Sequence, residues 1–459
     1  MEKITVIGAG LVGSILSAYL ARQGYEVSVF DKRPDPTLHG ALGGRSINLA
    51  LSYRGWKAID ELGLRKSIED ISIPMKGRSI HQLNGQIDFQ PYGTENEALY
   101  SVSRGMLNKI LVEEVKKGEN IKCYFNHECT GLDYRTNEIS FNTLEGNLTI
   151  AANRIFAADG ANSAVRESLS KDGIFNAVYE PLSHGYKELL IPAGNNGKHK
   201  IEKNALHIWP RGGNMLIALP NFDGSFTSTI FLPHEGDYEE EYNFSSLENN
   251  GIGIIGMFQD LFSDAIGIMP DFVKSYGPNE KESTLGTHYC NPWNFEDKVL
   301  LIGDSAHGVV PFYGQGMNAG FQDCIYLNNL INNHKGDWKT IFSTFSEKRK
   351  PDLDALANLS LYNFIEMRDK VSDNKFLLQK DIERYVSSEH PGKWTDLHYL
   401  VTFTDVPYSK AKEIGDLQSR IMESVMSEPD VDVKWKNWAG FRSNITKKIL
   451  NSLEDSNQK

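Results

Sequence analysis

The sequence predicts an α/β protein. It should have a dinucleotide-binding domain of alternating strands and helices, an inserted and mostly antiparallel sheet domain, and a helical C-terminal region. Three observations carry this expectation. Strand–helix alternation dominates residues 1–70 and returns over 101–175. Short strand-like runs with glycine-containing turns fill 184–232, and from about Trp338 onward the apolar spacing is helical.

The first element is the apolar run Ile4–Ile7, followed by Gly8-Ala-Gly10-Leu-Val-Gly13. Gly8 suits the tight turn, Gly10 the approach of a pyrophosphate and Gly13 close helix–strand packing. Leu11, Ile15, Ala18 and Leu20-Ala21 recur at roughly helical spacing. Val27-Ser-Val-Phe30 is a second strand, and Asp31 ends it about 20 residues past the glycines, where a ribose-binding acid belongs. Strand, glycines, helix, strand and acid in this order form a Rossmann-type unit. The unit alone does not separate FAD from NAD.

Downstream, Arg104–Lys117 reads as a helix, with strands near Lys122–Phe125, Glu138–Asn142 and Arg154–Ala158. Ile73–Tyr92 reads as extended segments turning at Asn84-Gly85. His184–Pro192, Asn204–Trp209, Asn214–Pro220 and Ser225–Leu232 read as strands of the inserted sheet, and Glu235–Asn250 as a polar loop or surface helix. The helical C-terminal part should break near His390-Pro-Gly392 and at Pro407. These elements suggest a discontinuous nucleotide-binding domain (1–72, 101–177, 285–375), a sheet domain (73–100, 178–284) and a helical region (376–459).

Net charge −12 argues against a nucleic-acid or anionic-membrane partner. Cys123, Cys129, Cys290 and Cys324 form no CxxC pair and no metal-ligand spacing, so neither disulfide nor metal is expected and a reducing, cytoplasmic setting is. The chain opens directly on a strand and has no run of about 18 apolar residues, so neither a signal peptide nor a membrane span is expected.

Two further motifs carry chemistry. Ile155-Phe-Ala-Ala-Asp159-Gly160 leads from a strand into a loop and a helix start. Leu300-Leu-Ile-Gly303-Asp304 is a buried strand ending in an acid, which suits a ribose or ribityl hydroxyl. Gly314 and Gly316 then let backbone N–H groups approach a ligand ahead of a helix. Taken with the N-terminal unit, these segments resemble the single-component flavoprotein aromatic hydroxylases over roughly residues 1–375.

The resemblance implies an extended FAD, with Gly8, Gly10, Leu11 and Gly13 at its pyrophosphate and Asp31 at the adenosine ribose. It also implies cofactor contacts from Lys32, Arg33, Arg45, Arg104 and Asp159. Gly303-Asp304 would take the ribityl chain, and Gly314, Gln315, Gly316, Met317 and Asn318 would border the flavin ring. His307 is expected as a structural neighbour of the cofactor rather than part of a catalytic dyad.

Segments such as Met75-Lys-Gly-Arg78-Ser-Ile-His81, Gln90-Pro-Tyr92-Gly and Tyr362-Asn363-Phe-Ile-Glu-Met-Arg368 resemble the branch of this family that hydroxylates L-kynurenine. The reaction implied uses dioxygen and transiently docked NADPH, proceeds through a flavin hydroperoxide and gives 3-hydroxy-L-kynurenine, with no obligatory catalytic side chain. Kynurenine is an amino acid with an aminophenyl ketone. Its site needs an anion clamp and an apolar slot for the ring. Arg78 offers a bidentate fork for the carboxylate and Tyr92 a hydroxyl. The resemblance adds Asn363 to the clamp and gives the slot Leu206, Ile217, Leu219, Phe231, Pro311 and Phe312. Where relatives often carry a clamp tyrosine this chain has His398, so His398 substitutes, Tyr399 swings in, or the clamp is one hydrogen bond weaker. The rival readings are a hydroxylase of another anionic aromatic compound and a non-catalytic carrier on the same fold.

Overall fold

Residues Ile4 to Ile7 are all buried, as befits a strand covered on both faces of a parallel sheet. In a computed structural model of the chain, this strand, Lys3–Ile7, lies between Ile155–Ala157 and Glu26–Asp31 and runs parallel to both. The six-stranded sheet is completed by Ile121–Phe125 at one edge and by Val299–Leu301 and the short antiparallel Asn294–Phe295 at the other. The structure describes residues 1–38, 48–93, 97–236, 242–249, 253–276, 281–371 and 373–457.

Register decides what this sheet presents. Ile7 pairs with Ala157 and Ala157 with Leu301, so the chain leaves three neighbouring strands at one level. Gly8, Asp159 and Gly303 therefore gather outside the same carboxyl edge, where ligands of open α/β sheets bind. Helices Leu11–Arg22 and Gly316–Asn333 pack against each other there, and Gly320 sits too close to Val12 for a side chain.

The second large sheet has seven strands in the order Ser283–Asn291, Asn176–Ile191, Phe226–Pro233, Asn214–Pro220, Ala205–Arg211, Gly77–His81 and Ile87–Pro91. It is antiparallel except where Ala205–Arg211 meets Gly77–His81. Strand Asn176–Ile191 begins well before the expected His184. Its first half is exposed and pairs with Ser283–Asn291 across a register shift, so no inside–outside alternation marked it.

Pairing of Leu206 with Arg78, Ile208 with both Ile80 and Ile217, and Met215 with Phe231 puts these side chains on one face. The other face carries Trp209, Leu216, Ala218, Ile230 and Leu232. It is covered by helices Phe244–Asn249, Gly253–Leu261, Ser263–Ile266 and Phe272–Tyr276, whose Phe244, Met257 and Phe258 are buried. Of the segment read as polar loop or surface helix, the described residues 242–249 thus begin the cover over an apolar sheet face.

The C-terminal part is helical, with breaks at the expected His390-Pro-Gly392 and Pro407. Buried Arg54, on helix Tyr53–Leu62, ties it to the nucleotide-binding sheet's side. The guanidinium donates to Leu400, Val401 and Val406 carbonyls at 3.3, 2.8 and 2.5 Å and lies over the Tyr408 ring. These are the carbonyls that helix Leu397–Phe403 and its exit leave without intrahelical partners. Among the described residues no helix is long and apolar enough to cross a membrane, and no group of three His, Cys, Asp or Glu is close enough to hold a metal.

His207 is buried on the covered face of the sheet. Its Nε2 lies 2.7 Å from the Glu202 carbonyl and its Nδ1 2.9 Å from His81 Nε2. Burial pushes its pKa down to about 4, the nearby His81 adds to this, and the Glu202 bond opposes it. In the unfolded chain an imidazole takes a proton below about pH 6.5. Between pH 6.5 and about 4 the unfolded state therefore binds one more proton at this site, and stability falls as pH falls. From pH 7 to pH 5, His207 should contribute a loss of about 2 kcal/mol, which His207→Gln removes. Urea unfolding at the two pH values checks this.

Candidate active site

The nucleotide cradle is built from positions where a side chain cannot fit. Gly8 has φ +102°, and a Cβ there would overlap the Ala158 carbonyl; at Gly13 it would overlap the Gly8 carbonyl. Gly10 is open, with Arg33 Nη2 as its nearest neighbour at 3.8 Å, and Leu11 starts the helix behind it. Asp31 is buried and accepts from Ala9 N at 2.7 Å and from Arg33 Nε and Nη2 at 2.9 and 2.8 Å. Burial pushes its carboxyl up, but the Arg33 bonds and charge outweigh this and hold it below the ordinary carboxylate range. Lys32 is exposed, and Arg45 lies outside the described residues.

Asp159 holds two loops together. One oxygen accepts from Ala164 N at 2.9 Å and the other from Ser305 Oγ at 3.0 Å, while Gly160 N donates to the same Oγ at 2.9 Å. Gly303 has φ +62°, and the following Asp304 stays exposed. Arg104 is exposed at the start of helix Arg104–Val115, whose Asn108 donates to the Ala9 carbonyl at 2.9 Å.

The loop 311–318 is fixed from several sides. Asn318 accepts from Ser52 N and donates to the Ala50 and Gly314 carbonyls, all within 2.8–2.9 Å. Gln315 Oε1 accepts from Tyr408 Oη at 3.1 Å and Ser52 Oγ at 3.3 Å, while its Nε2 is buried with no partner. Gly314 has φ +66°; Gly316 and Met317 are half-buried, and Pro311 is exposed on the turn. A glycine-lined groove, an exposed acid and an orphaned buried amide fit a bound FAD. His307 is committed below this loop. Its Nε2 lies 2.6 Å from Asp323, which also accepts from Arg349 at 2.8–2.9 Å; Arg349 in turn pairs with Asp352 at 2.8 Å. Burial pushes the Asp323 carboxyl up, and His307 and Arg349 bring it below its ordinary value.

The residues expected to form a carboxylate clamp converge from distant parts of the chain. Arg78 is buried beside Leu206 on the apolar sheet face, over the Tyr92 ring at 5.6 Å, with its Nε unpartnered. His398 stacks between Tyr92 (5.0 Å) and Tyr313 (5.7 Å). Burial and then the Arg78 charge push the imidazole well below its ordinary pKa, so it is neutral near pH 7. The Tyr399 hydroxyl points elsewhere, donating to Glu97 at 2.5 Å, so of the two residues His398 faces the clamp. Asn363 donates to the Phe312 carbonyl at 2.7 Å and to Met367 Sδ at 3.3 Å, which takes both of its amide hydrogens.

Leu206, Ile217, Phe231 and Phe312 share one apolar cluster with Ile80, Ile208 and Phe364; half-buried Leu219 lies outside it. From Arg78, a cleft of about 1380 Å³ opens outward between Ile87–Pro91 and helix Asn374–Glu389, bordered by Tyr92, Glu366, Lys380 and His398. The sequence reading did not single out Glu366 or Tyr313 as site residues. Glu366 follows Asn363 by three positions, one helical turn, which is the signal that could have found it.

The FAD binding domain family model matches residues 1–180 and 278–359. The kynurenine 3-monooxygenase of Flavobacterium johnsoniae is 44% identical over 98% of this chain and 99% of its own. That of Flavobacterium psychrophilum is 43% identical over 95% and 96%. Among solved structures, the tetrameric form of 2-methyl-3-hydroxypyridine-5-carboxylic acid oxygenase superposes with TM-score 0.65 at 16% identity, covering 81% of this chain and 94% of that one.

The buried charges beneath the loop yield a stability test. Arg349→Met removes the guanidinium that pairs with buried Asp323, leaving it the His307 ring as its remaining side-chain partner, and should cost about 3–5 kcal/mol. An unfolding free energy from denaturant titration lowered by less than about 1 kcal/mol would show that the network contributes little.

Proposed function

The chain belongs to the kynurenine 3-monooxygenases within the FAD-binding aromatic hydroxylases, and on that premise we propose that it converts L-kynurenine to 3-hydroxy-L-kynurenine. Dioxygen is the oxygen donor and NADPH the transient reductant. When bound, FAD supplies the redox chemistry that activates dioxygen.

In this reading Gly8, Gly10, Leu11 and Gly13 hold the pyrophosphate, and Asp31, braced by Arg33, takes the adenosine ribose. Exposed Lys32 and Arg104 supply outlying cofactor contacts, and Arg45, outside the described residues, is assigned to the cofactor by family resemblance. Asp159 holds the adjoining loop to Ser305. Gly303-Asp304 takes the ribityl chain, and Gly314, Gln315, Gly316, Met317 and Asn318 border the ring, where the orphaned Gln315 amide has a hydrogen bond to give.

The substrate's carboxylate meets the Arg78 fork, the Tyr92 hydroxyl and the neutral His398 ring. Its aromatic ring enters the slot of Leu206, Ile217, Phe231 and Phe312, with Leu219 and Pro311 at the margins. Asn363 anchors the Phe312 carbonyl and so sets the wall between clamp and slot. These side chains orient the ring and keep water from it; none needs to act as a nucleophile. The observation that carries the reading is Arg78, a buried cation on an apolar sheet face whose Nε has no protein partner.

Two tests follow from these roles. L-Kynurenine should accelerate NADPH oxidation by the purified yellow protein and yield 3-hydroxykynurenine; oxidation indifferent to kynurenine would sink the substrate reading. Arg78→Met should weaken kynurenine binding by about 1.5–3 kcal/mol, the scale of a charged hydrogen bond, and leave flavin content intact. Equal loss of flavin would make Arg78 a structural residue.

A further inference from the structure

We propose that Glu366 binds the α-ammonium of the substrate, so that Arg78 and Glu366 together recognise a zwitterionic α-amino acid. The inference rests on the kynurenine reading above and adds a specificity residue to it.

The backbone first explains why the carboxylate is where it is. Helix Trp338–Ile365 gives way at Glu366–Lys370 to a π-helical turn, with five residues per hydrogen-bonded ring step instead of four. Such a turn re-aims the side chains that follow, and these turns concentrate at functional sites. Glu366 opens this turn, one helical turn beyond Asn363, and stands on the border of the cleft that reaches Arg78.

The electrostatics then leave the Glu366 carboxylate underused. Glu366 Oε1 is 3.9 Å from Arg78 Nη1, an ion-pair distance too long for a hydrogen bond. The side chain is only 15% exposed, and no described residue donates a hydrogen bond to it. Lys380 lies close enough to feel its charge, but its ammonium donates to Glu383 at 3.0 Å and Asp396 at 3.3 Å and makes no hydrogen bond to Glu366. A largely buried carboxylate without a donor calls for one from outside the protein.

The ligand chemistry supplies it. In an α-amino acid the carboxylate and the ammonium hang on one carbon, so a site gripping both must hold its cation and anion side by side. Arg78 and Glu366 meet that condition. The apolar slot beginning at Leu206, the register neighbour of Arg78, adds a third contact. Three contacts around one stereocentre select handedness. An aromatic acid lacking the ammonium would instead leave Glu366 buried without a partner, which weakens its binding.

The test uses flavin-loaded enzyme, wild type and Glu366→Gln, with binding read from the flavin absorbance change and checked by calorimetry. The ligands are L-kynurenine, D-kynurenine and the desamino analogue 4-(2-aminophenyl)-4-oxobutanoate. Wild type should bind the desamino analogue about 10- to 100-fold more weakly than L-kynurenine. Glu366→Gln should weaken L-kynurenine by a similar factor, leave the desamino analogue unchanged or tighter, and narrow the preference for L over D. Equal weakening of both acids would overturn the assignment and make Glu366 a support for Arg78. Equal affinity of wild type for L-kynurenine and its desamino analogue would overturn it as well. Wild type binding neither would remove the kynurenine reading itself, and this assignment with it.

Discussion

A guanidinium buried on the apolar face of a β-sheet constrains everything around it. Arg78 cannot lose its charge, and its register partner is Leu206 rather than an acid. The protein meets this cation with an aromatic face from Tyr92 and a carboxylate at ion-pair distance from Glu366, and leaves its Nε without a partner. A buried cation kept partly unsatisfied is costly unless something else completes it. The clamp, the slot beside it and the cleft leading to it are arranged around that requirement.

The same cation sets the state of its neighbours. His398 stacks on Tyr92 within reach of the Arg78 charge, and burial together with that charge keeps the imidazole neutral, a ring that can donate without adding to the positive field. Behind the slot, Asn318 and Gln315 fasten the loop after Phe312 to residues 50–52 and to Tyr408, and Asn363 fastens Phe312 itself. Parts of the chain separated by hundreds of residues thereby hold one wall in place. Arg54, bound to three carbonyls at the end of helix Leu397–Phe403, keeps the segment carrying His398 against that wall.

How much of this was legible in the sequence depended on whether the physics was local. Gly8, Gly13 and Gly303 were readable because a positive φ or a missing Cβ is a property of a few adjacent residues, and the strands before them are short apolar runs. The exposed first half of Asn176–Ile191 was not, since it carries no alternation and exists through its pairing with Ser283–Asn291. Arg78, Tyr92 and His398 were grouped as a clamp through family resemblance, and Glu366 was not named at all. Arg78, Tyr92, Glu366 and His398 come together through sheet register and the packing of distant helices, neither of which leaves a local pattern. Asp31 and Asp159 read as ligand-facing acids, yet each also does structural work, one with Arg33 and Ala9 and the other with Ser305.

In the proposed reaction the slot and clamp deliver the kynurenine ring to dioxygen activated on the flavin. Turnover of L-kynurenine under ¹⁸O₂, with mass analysis of the product, tests it directly. The expected product is 3-hydroxykynurenine carrying one ¹⁸O atom. Recovery of unmodified kynurenine, with the label found only in hydrogen peroxide, would contradict it.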